Sequence, residues 1–367
     1  MDPVGVVLDP TLRSAKAQEF EVQLQQRLVG QPDAVTKAAQ LVQTVMAGFN
    51  PGDRPAGVLL MLGPTGTGKT RLVEAIAEIL FGTPKALFKI ACAEYQDSYQ
   101  TNRLLGAPPG YTGYTDNKNE GLLSQEKLDQ YQTADLKLNL VLFDEIEKAH
   151  DRLFDVMLNI LDKGEMTVSN GQRIDFTSSL IFMTSNLGAS CLGRSLGFSR
   201  NDASVLDQHN TKVIEGAIKN RFRPEFLNRI DQQVMFRVLQ PEHLRLILAL
   251  ELDAVRRRLQ VSRHHNKFTF VVSASAEEVL LREGCEPKFG ARHIKRTIER
   301  LIVQPLANMT MSGQVAFGDV VLIDHVRGAF QYRKYYGDQV THFSEEHWMR
   351  FRSTLVQGEM SRVQEAA

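Results

Sequence analysis

The stretch Gly63-Pro64-Thr65-Gly66-Thr67-Gly68-Lys69-Thr70 decides the reading of this chain. It fits the phosphate-loop pattern G-x-x-x-x-G-K-[ST], and its surroundings suit that pattern. The apolar run Gly57-Val58-Leu59-Leu60-Met61-Leu62 precedes it as a strand, and Arg71 to Phe81 follow with helical spacing. Glycines let such a loop turn tightly, so that its backbone N–H groups point inward at phosphate oxygens. Lys69 then reaches the β- and γ-phosphates of a nucleoside triphosphate, and the Thr70 hydroxyl reaches Mg²⁺. The helix that begins there adds the positive end of its dipole.

A second motif lies at Leu140-Val141-Leu142-Phe143-Asp144-Glu145. A short apolar run ending in two acids reads as a buried parallel strand whose C-terminal edge carries chemistry. Asp144 is placed to hold Mg²⁺, directly or through water. Glu145, one residue on, points differently and suits a general base that orients and deprotonates the attacking water. Taken alone, the charge-rich Asp144-Glu145-Ile146-Glu147-Lys148 reads as the solvated start of a helix. The upstream loop tips the balance toward triphosphate hydrolysis.

At 367 residues the chain suits one large domain and a smaller one. Lys+Arg and Asp+Glu stand at 43 each, so the net charge is zero and a broad footprint for nucleic acid is not expected. The densest basic spot, Arg256-Arg257-Arg258 followed by Arg263, falls near the end of a helical pattern and reads as a solvated face. Cys92, Cys191 and Cys285 are far apart, without metal-ligand spacing, which suits a reducing compartment. The first residues lack a basic start and a long apolar core, and no apolar run approaches the roughly 20 residues of a membrane span. A soluble cytoplasmic protein is the expectation, with no membrane partner.

Strand candidates at Val58–Leu62, Leu87–Ala91, Leu138–Phe143, Leu180–Thr184 and Gln233–Val238 alternate with helical segments. That alternation predicts an α/β fold, a five-stranded parallel sheet flanked by helices. From Gln240 the pattern turns mainly helical, with short strands at Phe268–Val272 and Asp319–Ile323. The expected organisation is an N-terminal helical extension (1–27), a large ATPase domain (28–238), a small domain (239–328) and a C-terminal extension (329–367). Within the last, Glu345 to Met360 reads as one more helix.

Several motifs in this order resemble the Clp family of AAA+ unfoldases, in particular the second ATPase module of ClpA, ClpB and ClpC. They are Leu28-Val29-Gly30-Gln31, the two nucleotide motifs, Thr184-Ser185-Asn186, Phe222-Arg223-Pro224-Glu225-Phe226-Leu227-Asn228-Arg229-Ile230-Asp231 and Phe289-Gly290-Ala291-Arg292. The resemblance covers roughly residues 28 to 325 and one such module. It implies ATP and Mg²⁺ as cofactors, a P-loop AAA+ sheet, and a small domain that acts as a lid. It implies that Asn186 fixes the attacking water or touches the γ-phosphate. Arg229 matches the arginine finger donated by a neighbouring subunit, with Arg223 a second candidate; alone, Arg229 beside Asp231 reads as a surface ion pair. Arg292 matches an arginine that reaches the phosphates from the small domain. Leu28, Val29 and Ile247 match positions that flank the adenine, though ordinary core packing would also account for them.

Between the strand candidates at 87–91 and 138–143, Gly106-Ala107-Pro108-Pro109-Gly110-Tyr111-Thr112-Gly113-Tyr114 is too rich in Gly and Pro for regular structure. The resemblance makes it a pore loop whose Tyr111 grips an extended polypeptide. After Asn186, Leu196-Gly197-Phe198 resembles the plug with which some Clp unfoldases dock a ClpP-type protease, and equally reads as an apolar anchor for a surface loop. The expected function is an ATP-hydrolysing remodelling chaperone that forms a ring, most simply a hexamer, and threads protein substrates. The alternative is a nucleotide-controlled scaffold or switch that assembles a partner complex without threading.

Overall fold

In the computed structural model the apolar run Gly57–Leu62 forms strand β1, buried at every position. A continuous apolar run suits a strand covered on both faces. Side chains alternate across a strand, so Val58, Leu60 and Leu62 enter one apolar layer while Leu59 and Met61 enter the other. The structure describes residues 9, 11–97, 99–106, 122–187, 216–261, 268–285 and 291–335. It divides into two compact units, Met1–Val238 and Leu239–Ala367.

The first unit opens with helices α1 (Ala15–Arg27) and α2 (Pro32–Met46). Ser14 caps α1 by accepting from the Ala17 N–H, and Pro32 starts α2 at a position where its missing N–H costs nothing. After β1 come α3 (Lys69–Phe81), β2 (Phe88–Ala91), α4 (Thr101–Leu105), α5 (Gln125–Asp129), β3 (Asn139–Asp144) and α6 (Asp151–Lys163). Strands β4 (Glu165–Thr167), β5 (Arg173–Asp175), β6 (Ser179–Ser185) and β7 (Gln232–Met235) complete it. The sheet order is β2-β3-β6-β1-β7, with every neighbouring pair parallel. The expected five-stranded parallel sheet is therefore present.

Register fixes what meets at the C-terminal edge. Leu62 pairs with Ser185, and Phe143 pairs with Met183. The residues after β1, β6 and β3 thus emerge side by side, with β6 in the middle.

Several details depart from expectation. The N-terminal helix begins at Ala15, and its Leu24 is fully buried in the same cluster as Leu59 and Met61. The segment expected as an extension is thus packed into the large unit. Strand β7 stops at Met235 because both backbone groups of Arg237 bond to the side chain of Gln31, which removes them from the ladder. The antiparallel hairpin β4–β5 was not expected: each strand has three residues with only the middle one buried, too short for a visible period.

The second unit contains a long helix (Pro241–Val261), β8 (Thr269–Val272), a helix (Ala274–Gly284), a helical stretch from Ala291 to Met311, β9 (Val320–Val326) and β10 (Ala329–Tyr335). Its sheet is β10-β9-β8, with β8–β9 parallel and β9–β10 antiparallel. A two-residue turn, Arg327-Gly328, joins the last two strands with positive φ at both positions (53° and 85°), the backbone that tight hairpins require. The hairpin crosses the boundary expected after residue 328. The helical stretch runs on past Pro305 because a π-helical turn at Glu299–Val303 precedes that proline. A widened turn frees the carbonyl with which a proline ring would collide.

Candidate active site

The loop after β1 carries positive φ at Gly63 (135°), Gly66 (77°) and Gly68 (105°). A Cβ on Gly63 would stand 2.5 Å from the Phe236 carbonyl oxygen, so glycine there answers to space as well as to φ. Gly68 supplies the left-handed cap from which α3 starts. The Thr67 hydroxyl donates to Pro64 O at 2.9 Å, and Gln31 Nε2 donates to Thr67 O at 3.2 Å. Lys69 is buried, and its Nζ donates to Gly63 O at 2.7 Å, to Pro64 O at 2.8 Å and to Asn186 Oδ1 at 2.8 Å. Leu28 is buried and Val29 half-buried, with Leu28 Cδ1 about 3.0 Å from where a Cβ on Gly68 would sit.

At the end of β3 the acids are held by named partners. Asp144 Oδ1 accepts from the Thr184 hydroxyl at 2.6 Å, and Oδ2 pairs with Lys89 Nζ at 2.7 Å. Burial by itself would push this carboxyl up. The bonds from Lys89 and Thr184, with the charges of Lys89 and Lys69, outweigh burial and hold it below the usual carboxylate range. Glu145 adopts a left-handed backbone (φ 57°, ψ 53°), uncommon for a residue with a side chain. Its N–H donates to Thr184 Oγ1 at 2.8 Å, Oε1 accepts from Asn186 Nδ2 at 3.0 Å and Oε2 pairs with Lys148 at 2.5 Å. The turn gives Asp144 and Glu145 different partners, Thr184 and Lys89 for the first, Asn186 and Lys148 for the second.

Asn186 follows β6 and links the two halves. Its amide oxygen takes Lys69, its amide nitrogen donates to Glu145, and its backbone N–H donates to Glu147 Oε1 at 3.1 Å. Arg221 fastens the next turn, donating to Glu147 O at 3.0 Å and Ala149 O at 2.8 Å while its guanidinium lies 4.9 Å from the Phe154 ring centre.

The donors fit the groups that the motifs imply. The loop presents backbone N–H groups, a lysine and a helix start, which is the chemistry of a phosphate cradle. The Thr70 hydroxyl and the Asp144 carboxylate are hard oxygen donors suited to Mg²⁺. That ion is usually held by one or two carboxylates plus substrate phosphates rather than by an all-protein cage. No cluster of three or more His, Cys, Asp or Glu side chains able to hold a metal occurs among the described residues.

Arg229 is half-exposed and pairs with Asp162 of α6 at 2.6 Å. It does not pair with Asp231, which binds Arg54 at 2.9 Å and accepts from the Val58 N–H. Arg223 pairs with Asp155 at 3.3 Å. Ile247 and Arg292 belong to the second unit, where Ile247 packs half-buried against the core and Arg292 is exposed in the turn Ala291–His293. Tyr111, Leu196-Gly197-Phe198, Gly290 and the helix expected at Glu345–Met360 lie outside the described residues.

Lys89, Thr184 as a bridge, and Arg221 were not found by sequence reasoning. A lysine inside the short run Phe88-Lys89-Ile90-Ala91 was the available signal for the first. Thr184 opens a motif that had been read for its asparagine, and Arg221 stands one residue before the motif that begins at Phe222.

A phosphate loop after β1, an acidic pair after β3 and a polar side chain after β6, on a five-stranded parallel sheet, define an ATPase domain of the AAA+ class. Residues 54–233 match the family model for an AAA domain (Cdc48 subfamily), and residues 239–323 match the C-terminal, D2-small domain, of ClpB protein. Chaperone protein ClpB 1 of Parasynechococcus marenigrum is 38% identical over 309 residues, 84% of this chain and 34% of that protein. Chaperone protein ClpB 2 of Synechocystis sp. is 34% identical over 338 residues, 92% of this chain and 37% of its own. This chain thus spans about a third of the length of the curated relatives it matches. The closed-state cryo-EM structure of Hsp104 with ATPγS and FITC casein aligns with a TM-score of 0.71 and 29% identity, over 88% of this chain and 53% of that one. The chain belongs to the Clp family, as a ClpB/Hsp104 D2-like AAA+ module with its D2-small domain. No helix among the described residues is long and apolar enough to cross a membrane.

Proposed function

We propose that this chain hydrolyses ATP and uses the cycle to remodel protein substrates by drawing polypeptide through a ring of its own copies. The observation that carries the catalytic part is the chain Lys69–Asn186–Glu145, linked at 2.8 and 3.0 Å between two strand ends. It supports the reading of Lys69 as the phosphate cation, Asn186 as the amide that holds a water and Glu145 as the base, because the three side chains share one hydrogen-bonded group.

Residues 63–70 cradle the phosphates, and Lys69 turns from its loop carbonyls and Asn186 toward the β- and γ-oxygens. Thr70 and Asp144 would hold Mg²⁺, whose charge would help neutralise the phosphate oxygens. Glu145, released from Asn186, takes the proton of a water that Asn186 orients. Val29 and Ile247 are assigned to the adenine and Arg292 to the phosphates. Arg229, drawn from Asp162, serves as the finger for a neighbouring copy's nucleotide, so the reading requires an oligomer, most simply a hexamer. Tyr111 is assigned to substrate grip. Threading is supported by the likeness to the casein-bearing Hsp104 structure. Docking of a ClpP-type protease through Leu196-Gly197-Phe198 is a further element, against which a stand-alone remodeller is the simpler outcome.

ATPase turnover with and without unfolded casein tests the reading. Casein should stimulate turnover, and Tyr111→Ala should abolish the stimulation while sparing basal activity. Glu145→Gln should bind ATP normally yet hydrolyse it far more slowly, because the amide cannot accept a proton; Lys69→Ala should lose binding itself. Turnover indifferent to casein and to Tyr111 would mark a nucleotide-controlled scaffold instead.

A further inference from the structure

Lys89 lies on β2, where parallel pairing sets it beside Leu142 and sets Ala91 beside Asp144. Its long side chain spans that offset and brings Nζ to 2.7 Å from Asp144 Oδ2. The other carboxylate oxygen already takes the Thr184 hydroxyl at 2.6 Å. Thr184 is buried, sits on the middle strand and also receives the Glu145 N–H, so it is fixed in place. Lys89 is the movable partner: its side chain is 44% exposed against 21% for Asp144. Being the more exposed of the two, the lysine can swing out into water while the carboxylate stays in place.

Magnesium demands near-ideal octahedral oxygen geometry at about 2.1 Å, with waters filling the positions the protein leaves. An ammonium on Oδ2 competes for that oxygen or for the water that would bridge to it, and two cations so close repel. We propose that Lys89 is a positioning residue that holds Asp144 in the metal-free site and yields Oδ2 to the incoming divalent cation, so that its charge sets the affinity for metal. This rests on Asp144 being the metal ligand.

Mn²⁺ is the probe, with free and bound ion separated by electron paramagnetic resonance in the presence of saturating ADP, so that no turnover is needed. Lys89→Met keeps the stem and removes the charge; it should tighten Mn²⁺ binding roughly tenfold. Lys89→Arg, which keeps the charge, should stay close to the unaltered protein. In an Asp144→Asn background the Lys89→Met change should add little, since the lysine acts through that carboxylate. Lys89→Gln replaces the Met variant if the latter does not fold. Equal or weaker Mn²⁺ binding in the charge-removed variant overturns the role of Lys89 alone. ADP binding with no Mn²⁺ uptake in any variant overturns the metal role of Asp144 as well.

Discussion

The Thr184 hydroxyl donates to Asp144 Oδ1 across 2.6 Å, tying the ends of two neighbouring strands where the acidic pair begins. The Thr184 Oγ1 in turn accepts the Glu145 N–H at 2.8 Å. One hydroxyl thus orients the first acid and holds the left-handed backbone of the second, a conformation that costs on the order of 1 kcal/mol or more. Thr184→Val keeps the shape, loses both bonds and leaves the part-buried Glu145 N–H without its Thr184 partner. It should lower stability by about 1–3 kcal/mol in urea unfolding, whereas Thr184→Ser should retain most of it.

Asp144 also makes stability depend on acid. Burial raises its carboxyl, but the Lys89 and Thr184 bonds, together with the charges of Lys89 and Lys69, bring it below the ordinary 3.8. A depressed value means that the folded state favours the ionised form. The stabilisation is complete above the ordinary value and is lost as pH falls through the depressed one. The stability gap between the unaltered protein and Asp144→Asn should therefore hold from neutral pH down to about pH 4 and shrink below it. Urea unfolding of both proteins across that range checks the sign: a gap that widens in acid would contradict the assignment.

The Asp144 environment also shows how far the sequence could be read. The five strands, the glycine loop and the acidic pair announce themselves through apolar runs and short-range spacing. The contacts that organise the site are long-range: Lys69 meets Asn186 from 117 positions away, and Gln31 meets Arg237 from 206. Periodicity carries no trace of such pairs. Arg229 illustrates the opposite error, because its near neighbour Asp231 suggested an ion pair that the fold gives to Asp162 and Arg54 instead. The hairpin β9–β10 was missed at its second strand, whose burial alternates only between half-buried and exposed.

Gly63 tests the loop geometry without touching a polar side chain. At φ 135°, with a would-be Cβ 2.5 Å from the Phe236 backbone oxygen, Gly63→Ala faces strain and collision together. A loss of at least about 2 kcal/mol is expected. Gly82→Ala is the control: its φ is 75°, but nothing lies within 4 Å, so only the backbone penalty of about 1 kcal/mol applies. Thermal melting of the two variants side by side reads the difference.

Cys92 is fully buried beside the acids, and burial, then the nearby Asp144, Glu147 and Glu145 charges, push its thiol far above the ordinary range. Thiolate is the reactive form, so this cysteine should be inert in the folded protein. Alkylation with iodoacetamide followed by peptide mass spectrometry should leave Cys92 unmodified under native conditions and modify it in denaturant. Native labelling at Cys92 would mean that the layer beneath β2 opens.

Arg229 and Asp162 form a pair in which both side chains are close to half-exposed (48% and 44%). Pairs of this kind contribute about 0–1 kcal/mol, so Arg229→Ala should scarcely move the unfolding midpoint. As a finger for a neighbouring copy, however, Arg229 would stabilise charge on the transferring phosphoryl group, an effect worth about 10³–10⁵ in rate. The two roles separate cleanly: a surface pair predicts small changes in both stability and turnover, a finger predicts a large change in turnover only. Mixing Arg229→Ala with Glu145→Gln sharpens the test, because each variant carries what the other lacks. Turnover recovered on mixing would require that one copy's Arg229 serve another copy's Glu145. Full turnover of Arg229→Ala by itself would assign the residue to the surface pair with Asp162 and nothing more.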